Sequence, residues 1–146
     1  MKLGLCYAGF NENAKNFEKI KNMGYEYVEI PLFIFVEQPK DTVSEYLKKV
    51  HAAGLTVEAT NVFFSGKDPL TGPNINLNAN VEYAKNALHK ASETGVKISV
   101  LGSGGARRYP DGFDHLEAQK QFDELCAALN EVAVQNGITI DRKSVV

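Results

Sequence analysis

Four glycines constrain this chain more than any other feature. Gly24, Gly54, Gly95 and Gly137 each close a helical pattern, and a β-rich run follows each within a residue. Glycine is the residue that ends a helix in the left-handed conformation at no steric cost. Ahead of these stops, apolar residues recur at helical spacing: Phe17 and Ile20; Val43, Leu47 and Val50, with Asp41 as expected cap; Val81, Ala84, Leu88 and Ala91; and Phe122, Leu125, Cys126, Leu129, Val132 and Ala133. Between them stand "KLGLCY" (2–7), "YEYVEIPLF" (25–33), "LTVEATNVFF" (55–64), "VKISVLG" (96–102) and "ITI" (138–140). Strand, helix, glycine, strand is the grammar of βα units, so the pattern predicts an α/β fold with a parallel sheet. Periodicity leaves two closures open, a doubly wound sheet or a β/α barrel.

Composition narrows the function classes. The chain of 146 residues is long enough for one domain with a real core, and no linker or low-complexity segment divides residues 1–146. A net charge of −2 with scattered basic residues argues against a nucleic-acid-coating surface and a polybasic membrane patch. No apolar run approaches the roughly 18 residues of a spanning helix, and the start turns polar too soon for a signal peptide. Cys6 and Cys126 lie far apart without a CxxC partner, which fits reduced thiols in a cytoplasmic protein. No nucleic-acid or membrane partner is expected.

The stretch "VLGSGGARRYPDG" (100–112) holds three glycines in four positions and then paired arginines. A dinucleotide fingerprint would follow the first strand and carry a third glycine where Arg107 stands, and GxxxxGK[ST] is absent. A nucleotide cradle is therefore excluded. Two readings remain: a loop at the ligand end of a parallel sheet whose amides and arginines meet an anion, or a glycine-rich turn whose arginines pair with surface carboxylates.

"VKISVLGSGGARRYPDGF" with "ELCAALNEVAVQNGITI", preceded by "LGLCYAGF", "GYEYVEIPL" and "GLTVEATNVFF" in that order, resembles the sugar phosphate isomerase/epimerase family of the xylose isomerase-like barrel superfamily. The resemblance runs to about Ile140, and "GSGGARR" is its most specific part. It implies parallel (β/α) units of a TIM barrel, truncated here to about five strands and four helices, since a whole barrel needs roughly 250 residues. It also implies a small sugar or polyol partner, possibly phosphorylated, and proton transfer between adjacent carbons with a divalent metal, Mn2+ or Mg2+ and in some members Zn2+.

Carried over position by position, the resemblance puts Glu29 at the end of the second strand facing the barrel mouth. It puts Asn61 at the end of the third strand as a substrate-side amide, whose two donors and one acceptor suit a polyol. Tyr7 would cover a sugar face or sit in the core. Gly102, Ser103 and Arg107 would wall the fourth strand. By strand alternation Glu58 should face away from Asn61. His51 and His89 read as helix-surface residues, while His115 is close enough to the loop to approach the mouth.

The family's metal ligands come from strands five to eight, and Lys143 stands where the first, a glutamate, is expected. No metal is therefore expected in this chain alone, and no catalytic residue is assigned. A half barrel should expose an apolar inner face and two sheet edges, so a homo-oligomer is expected. The alternatives are a non-catalytic sugar- or anion-binding or assembly module and, less well matched, an endonuclease IV-like nuclease.

Overall fold

A computed structural model describes residues 1–7, 10, 13–67 and 69–142. Its five strands are β1 (Gly4–Cys6), β2 (Tyr27–Pro31), β3 (Thr56–Asn61), β4 (Ile98–Val100) and β5 (Thr139–Asp141). All neighbours pair parallel, in the order β1-β2-β3-β4-β5. Sequential order excludes the doubly wound alternative, in which the order reverses about an early strand. The helices are α1 (Ala14–Asn22), α2 (Ile34–Glu37), α3 (Lys40–Ala52), α4 (Leu77–Ser92) and α5 (His115–Asn136). Four of these are the expected ones; the single turn α2 follows β2 as an addition.

The four glycines behave as the sequence requires. Gly24, Gly54, Gly95 and Gly137 have φ of 92°, 75°, 95° and 61°, conformations that an L side chain rarely adopts. Three helix starts are capped by side chains, with Asn13 accepting from Lys15 N–H, Asn76 from Ala79 N–H and Asp114 from Glu117 N–H. Asp41 does not cap α3. Pro39 precedes the helix, which begins two residues earlier than expected and leaves Asp41 in the first turn.

Strand alternation splits the sheet into two unlike faces. Val28, Ile30, Val57, Thr60 and Ser99 lie under the helices, all 0–2% exposed. Phe17, Val50, Leu88, Leu125 and Leu129 close over them. The other face carries Cys6, Tyr27, Glu29, Thr56, Ala59, Asn61, Ile98, Val100, Thr139 and Asp141, by the register of the four ladders. The expectation of an apolar inner face is thus corrected. Of the "ISVL" and "VEATNVFF" runs, Val57, Phe63, Phe64 and Leu101 are buried, and the marked apolar exposure is at Ile98 and Val62.

A β-bulge between Val28 and Glu29 of β2 and Val57 and Ala59 of β3 inserts Glu58 as the extra residue. Thr56 Oγ1 donates to Glu58 Oε1 at 3.0 Å, so Glu58 shares the face of Thr56. Thr56 pairs with Tyr27, and Asn61 with Pro31, on the same side of the ladder. The expected opposition of Glu58 and Asn61 is therefore overturned, because the bulge resets the alternation between them. They stand at opposite ends of one face.

Candidate functional site

The carboxyl ends of the strands gather the polar groups. Cys6, Glu29 and Ala59 lie in one row across β1, β2 and β3, and Asn61 stands two residues further along β3. Asn61 Nδ2 donates to Cys6 Sγ at 3.1 Å. In a flat sheet, residues two strands apart are separated by roughly 9–10 Å. The bond therefore requires the face to be concave across β2, as a sheet curving towards barrel closure would be.

Asn61 Oδ1 is buried and has no hydrogen-bond partner among the described residues. A buried amide oxygen left unpaired is costly, by about 1–3 kcal/mol, so such an acceptor is a natural place for a ligand or water donor. Immediately beyond it, Val62 has φ of 40°. A β-branched residue in that region is strained, and strain of this kind gathers at functional sites. The turn ends β3 and sends Phe63 and Phe64 into the core. Glu29 is half-buried on the concave face, and its backbone carbonyl accepts from Tyr7 N–H at 2.8 Å.

Tyr7 goes elsewhere. Its ring meets fully buried Phe17 edge-on at 5.6 Å, and Phe17 in turn meets Tyr46 at 5.4 Å. It belongs to the helix-side aromatic cluster, opposite in alternation to Cys6, and takes the core alternative. Cys6 was not singled out by the sequence reading, although the same alternation could have found it.

The glycine loop is a tight, braced turn. Arg107 N–H donates to Ser103 O at 3.1 Å and Arg108 N–H to Gly105 O at 3.3 Å. Ser103 Oγ accepts from Phe64 N–H at 2.9 Å, which ties the loop to the exit of β3. Leu70 N–H donates to Ala106 O, Thr71 Oγ1 donates to Arg107 O, and Gln121 brackets Gly72 from α5 with two bonds. Arg107 folds back on its own loop: Nη2 donates to Gly102 O at 2.8 Å, and its Cζ lies 5.4 Å from the Phe122 ring centre. Gly104 and Gly105 are exposed, with no close neighbour around an added Cβ. Their use is an open backbone rather than a steric need. The site residues thus fall into two groups, Glu29 and Asn61 on the concave face and Gly102, Ser103 and Arg107 in the loop beside it.

His51 and His89 are exposed on α3 and α4; His115 opens α5 and its ring meets Tyr109 edge-on at 5.8 Å. Among the described residues, no three His, Cys, Asp or Glu side chains come together to hold a metal ion. Lys143 lies outside the described residues. No described helix is long and apolar enough to cross a membrane.

The fold defines one class: five consecutive parallel βα strands in the order of half a TIM barrel. Solved structures agree. A 3-keto-D-glucoside 4-epimerase from E. coli superposes with a TM-score of 0.71 at 18% identity, over 97% of this chain and 55% of that one. A sugar phosphate isomerase/epimerase from Parabacteroides distasonis gives 0.70 at 19%, over 97% and 50%. A D-psicose 3-epimerase with D-tagatose, from Clostridium cellulolyticum H10, gives 0.70 at 16%, over 96% and 51%. The chain spans about half the length of these structures. No protein-family profile and no curated protein sequence matches it.

Proposed function

We propose that this chain is the substrate-binding half of a sugar isomerase or epimerase, and that the concave face at Glu29 and Asn61 takes a sugar or polyol. The observation that carries the reading is the buried, unpaired Asn61 Oδ1 at the carboxyl end of β3. A sugar hydroxyl donates to it while Glu29 accepts from a neighbouring hydroxyl, and acceptors in this arrangement suit a ligand rich in O–H donors. Proton transfer and the divalent metal belong to strands beyond β5 in this reading, so the chain binds without turnover. The similarity to sugar epimerases supports the choice of ligand class, though fold alone hosts many chemistries.

Titration calorimetry with neutral ketohexoses tests it. Binding is expected for the wild type and should weaken about three- to tenfold in Asn61→Ala, the equivalent of one neutral hydrogen bond of roughly 0.5–1.5 kcal/mol. Absence of binding heat in the wild type, or binding by Asn61→Ala and Glu29→Gln as tight as that of the wild type, sinks the site. Isomerisation by this chain alone with added Mn2+ would refute the non-catalytic half of the proposal.

A further inference from the structure

A groove runs along the outside of the helical layer, away from the concave face. α2 packs against both α3 and α4, and its Phe35 lies with Val43 and Leu47 at the base of this open groove of about 540 Å3. Lys40, Lys48 and Lys90 border it. On α3 the groove residues form one helical stripe from Lys40 to His51, a rise of about 16–17 Å. The lining holds one carboxylate among the described residues, Glu93, and it stands 3.8 Å from His89 one turn before it. None of the three lysines makes an ion pair among the described residues. The groove is apolar at its base and cationic at its rim.

The outer side of α5 carries the counterpart. Leu116 and Val134 are 77% and 73% exposed, and helical periodicity returns them to the same line after five turns, with exposed Ala127 between them. Asp123, Glu124 and Glu131 flank that line and are all exposed. Asp123 accepts from Gln119 Nε2 at 2.7 Å, while neither glutamate makes an ion pair among the described residues. From Asp123 to Val134 the helix again rises about 16–17 Å, the length of the α3 stripe.

We propose that α5 of one copy of this chain lies in the α3–α4 groove of a second copy. Ala127 and Val134 rest on the apolar base, and Asp123, Glu124 and Glu131 meet the three lysines of the rim. An amphipathic helix in a groove is held by its seated apolar side chains, while the rim charges set orientation and encounter rate. Groove and helix face are different surfaces, so the contact is heterologous. A copy that gives its α5 still offers its own groove, and assembly grows head to tail instead of stopping at a two-fold dimer. The inference does not depend on the sugar reading, because none of these side chains lies on the concave face.

Sedimentation velocity over a concentration series, at low and high salt, tests it. Lys48→Glu with Lys90→Glu reverses the rim, and Val134→Lys spoils the helix face. All three positions are exposed, and circular dichroism checks that both variants keep the wild-type fold. The wild type is expected to grow past the dimer as concentration rises, and less so in high salt, which screens exposed charges. Each variant alone should self-associate at least tenfold more weakly. An equimolar mixture of the two should recover association and stop at a one-to-one complex, because each pair retains one intact groove and one intact α5 face. A wild type that plateaus at a dimer, or a reversed rim that leaves association as tight as before, would overturn the proposal and place self-association on another surface. A mixture that stays at the mass of single chains would overturn it as well. A wild type that remains a single chain at every concentration would overturn both this contact and self-association itself.

Discussion

The hydroxyl pair between β3 and β4 offers the sharpest test of the described packing. Thr60 Oγ1 donates to Ser99 Oγ at 2.8 Å, and both residues are 0% exposed. The two are register partners on adjacent strands, so the bond fixes β4 against the strand that carries Asn61. Ser99→Ala removes the acceptor and strands the Thr60 hydroxyl in an apolar layer. Thr60→Val, nearly isosteric, strands the Ser99 hydroxyl instead. Each single change should cost about 1–3 kcal/mol, the desolvation of one unsatisfied polar group. The double variant removes both hydroxyls together and should cost about 0–1 kcal/mol, because two apolar groups of similar shape need no partner. The cycle therefore predicts a double variant more stable than either single one, with strong coupling between neighbours in contact. The chain has no tryptophan, so urea unfolding is best followed by far-ultraviolet circular dichroism. With a urea m-value of about 2 kcal/mol/M, a 2 kcal/mol loss moves the midpoint by about 1 M. If the double variant loses the sum of the single losses, the hydroxyls do not satisfy each other and the register of β3 on β4 is wrong.

Three further outcomes are expected. Cys6 is exposed, whereas burial pushes the Cys126 thiol up, with Arg142 opposing in part, so iodoacetamide should alkylate Cys6 first; mass mapping that finds Cys126 first would contradict the packing, and a ketohexose at Asn61 should slow the reaction at Cys6. The hydrogen bond from Lys2 lowers the Glu58 carboxyl below its ordinary range, and the same bond raises Lys2. The stabilisation from Glu58 is therefore present above the unfolded carboxylate value of 4.5 and lost as pH falls through the folded one, so Glu58→Gln should flatten the drop in melting temperature between about pH 7 and pH 3, less visibly in high salt. Finally, light scattering over a concentration series should show self-association, because β1 and β5 are unpaired on one side and a groove of about 410 Å3 lined by Leu129, Ile138 and Ile140 runs beside β5; a monodisperse particle near 16.0 kDa at every concentration would refute it.

The sequence disclosed the elements that depend on local chemistry. Each helix-ending glycine turned out to hold a positive φ, and α5 was legible from the apolar spacing of Phe122 to Ala133. What failed depended on geometry with no local mark. "YEYVEIPLF" reads as strand to Phe33, but β2 ends at Pro31, and the single turn of α2 that follows has no side-chain cap to announce it. "NVFF" likewise looked like strand, but Val62 turns the chain and buries both phenylalanines against the helices. The bulge at Glu58 adds one residue that alternation cannot count. Arg107 could be placed on its loop by sequence, yet a long side chain's direction is set by distant Phe122, 15 positions away along the chain.

The two faces of the sheet tell against a simple picture of an exposed core. Parallel sheets are ordinarily apolar on both sides because both are covered, and barrel interiors are dominated by bulky branched residues. Here the helix face follows that rule, with Val28, Ile30 and Val57 fully enclosed. The concave face does not: Glu29, Asn61, Glu58, Thr139 and Asp141 share it with Ile98 and Val100. Acceptors outnumber donors there, and at Asn61 one of them is already dehydrated without compensation. Such a face gains little from pressing against another apolar layer, because every buried carboxylate would need a partner. It gains from hydroxyl donors, which satisfy acceptors without adding charge. Association is therefore expected along the β5 flank, where Val134 is 73% exposed and Ile140 half-buried, leaving the concave face to the ligand.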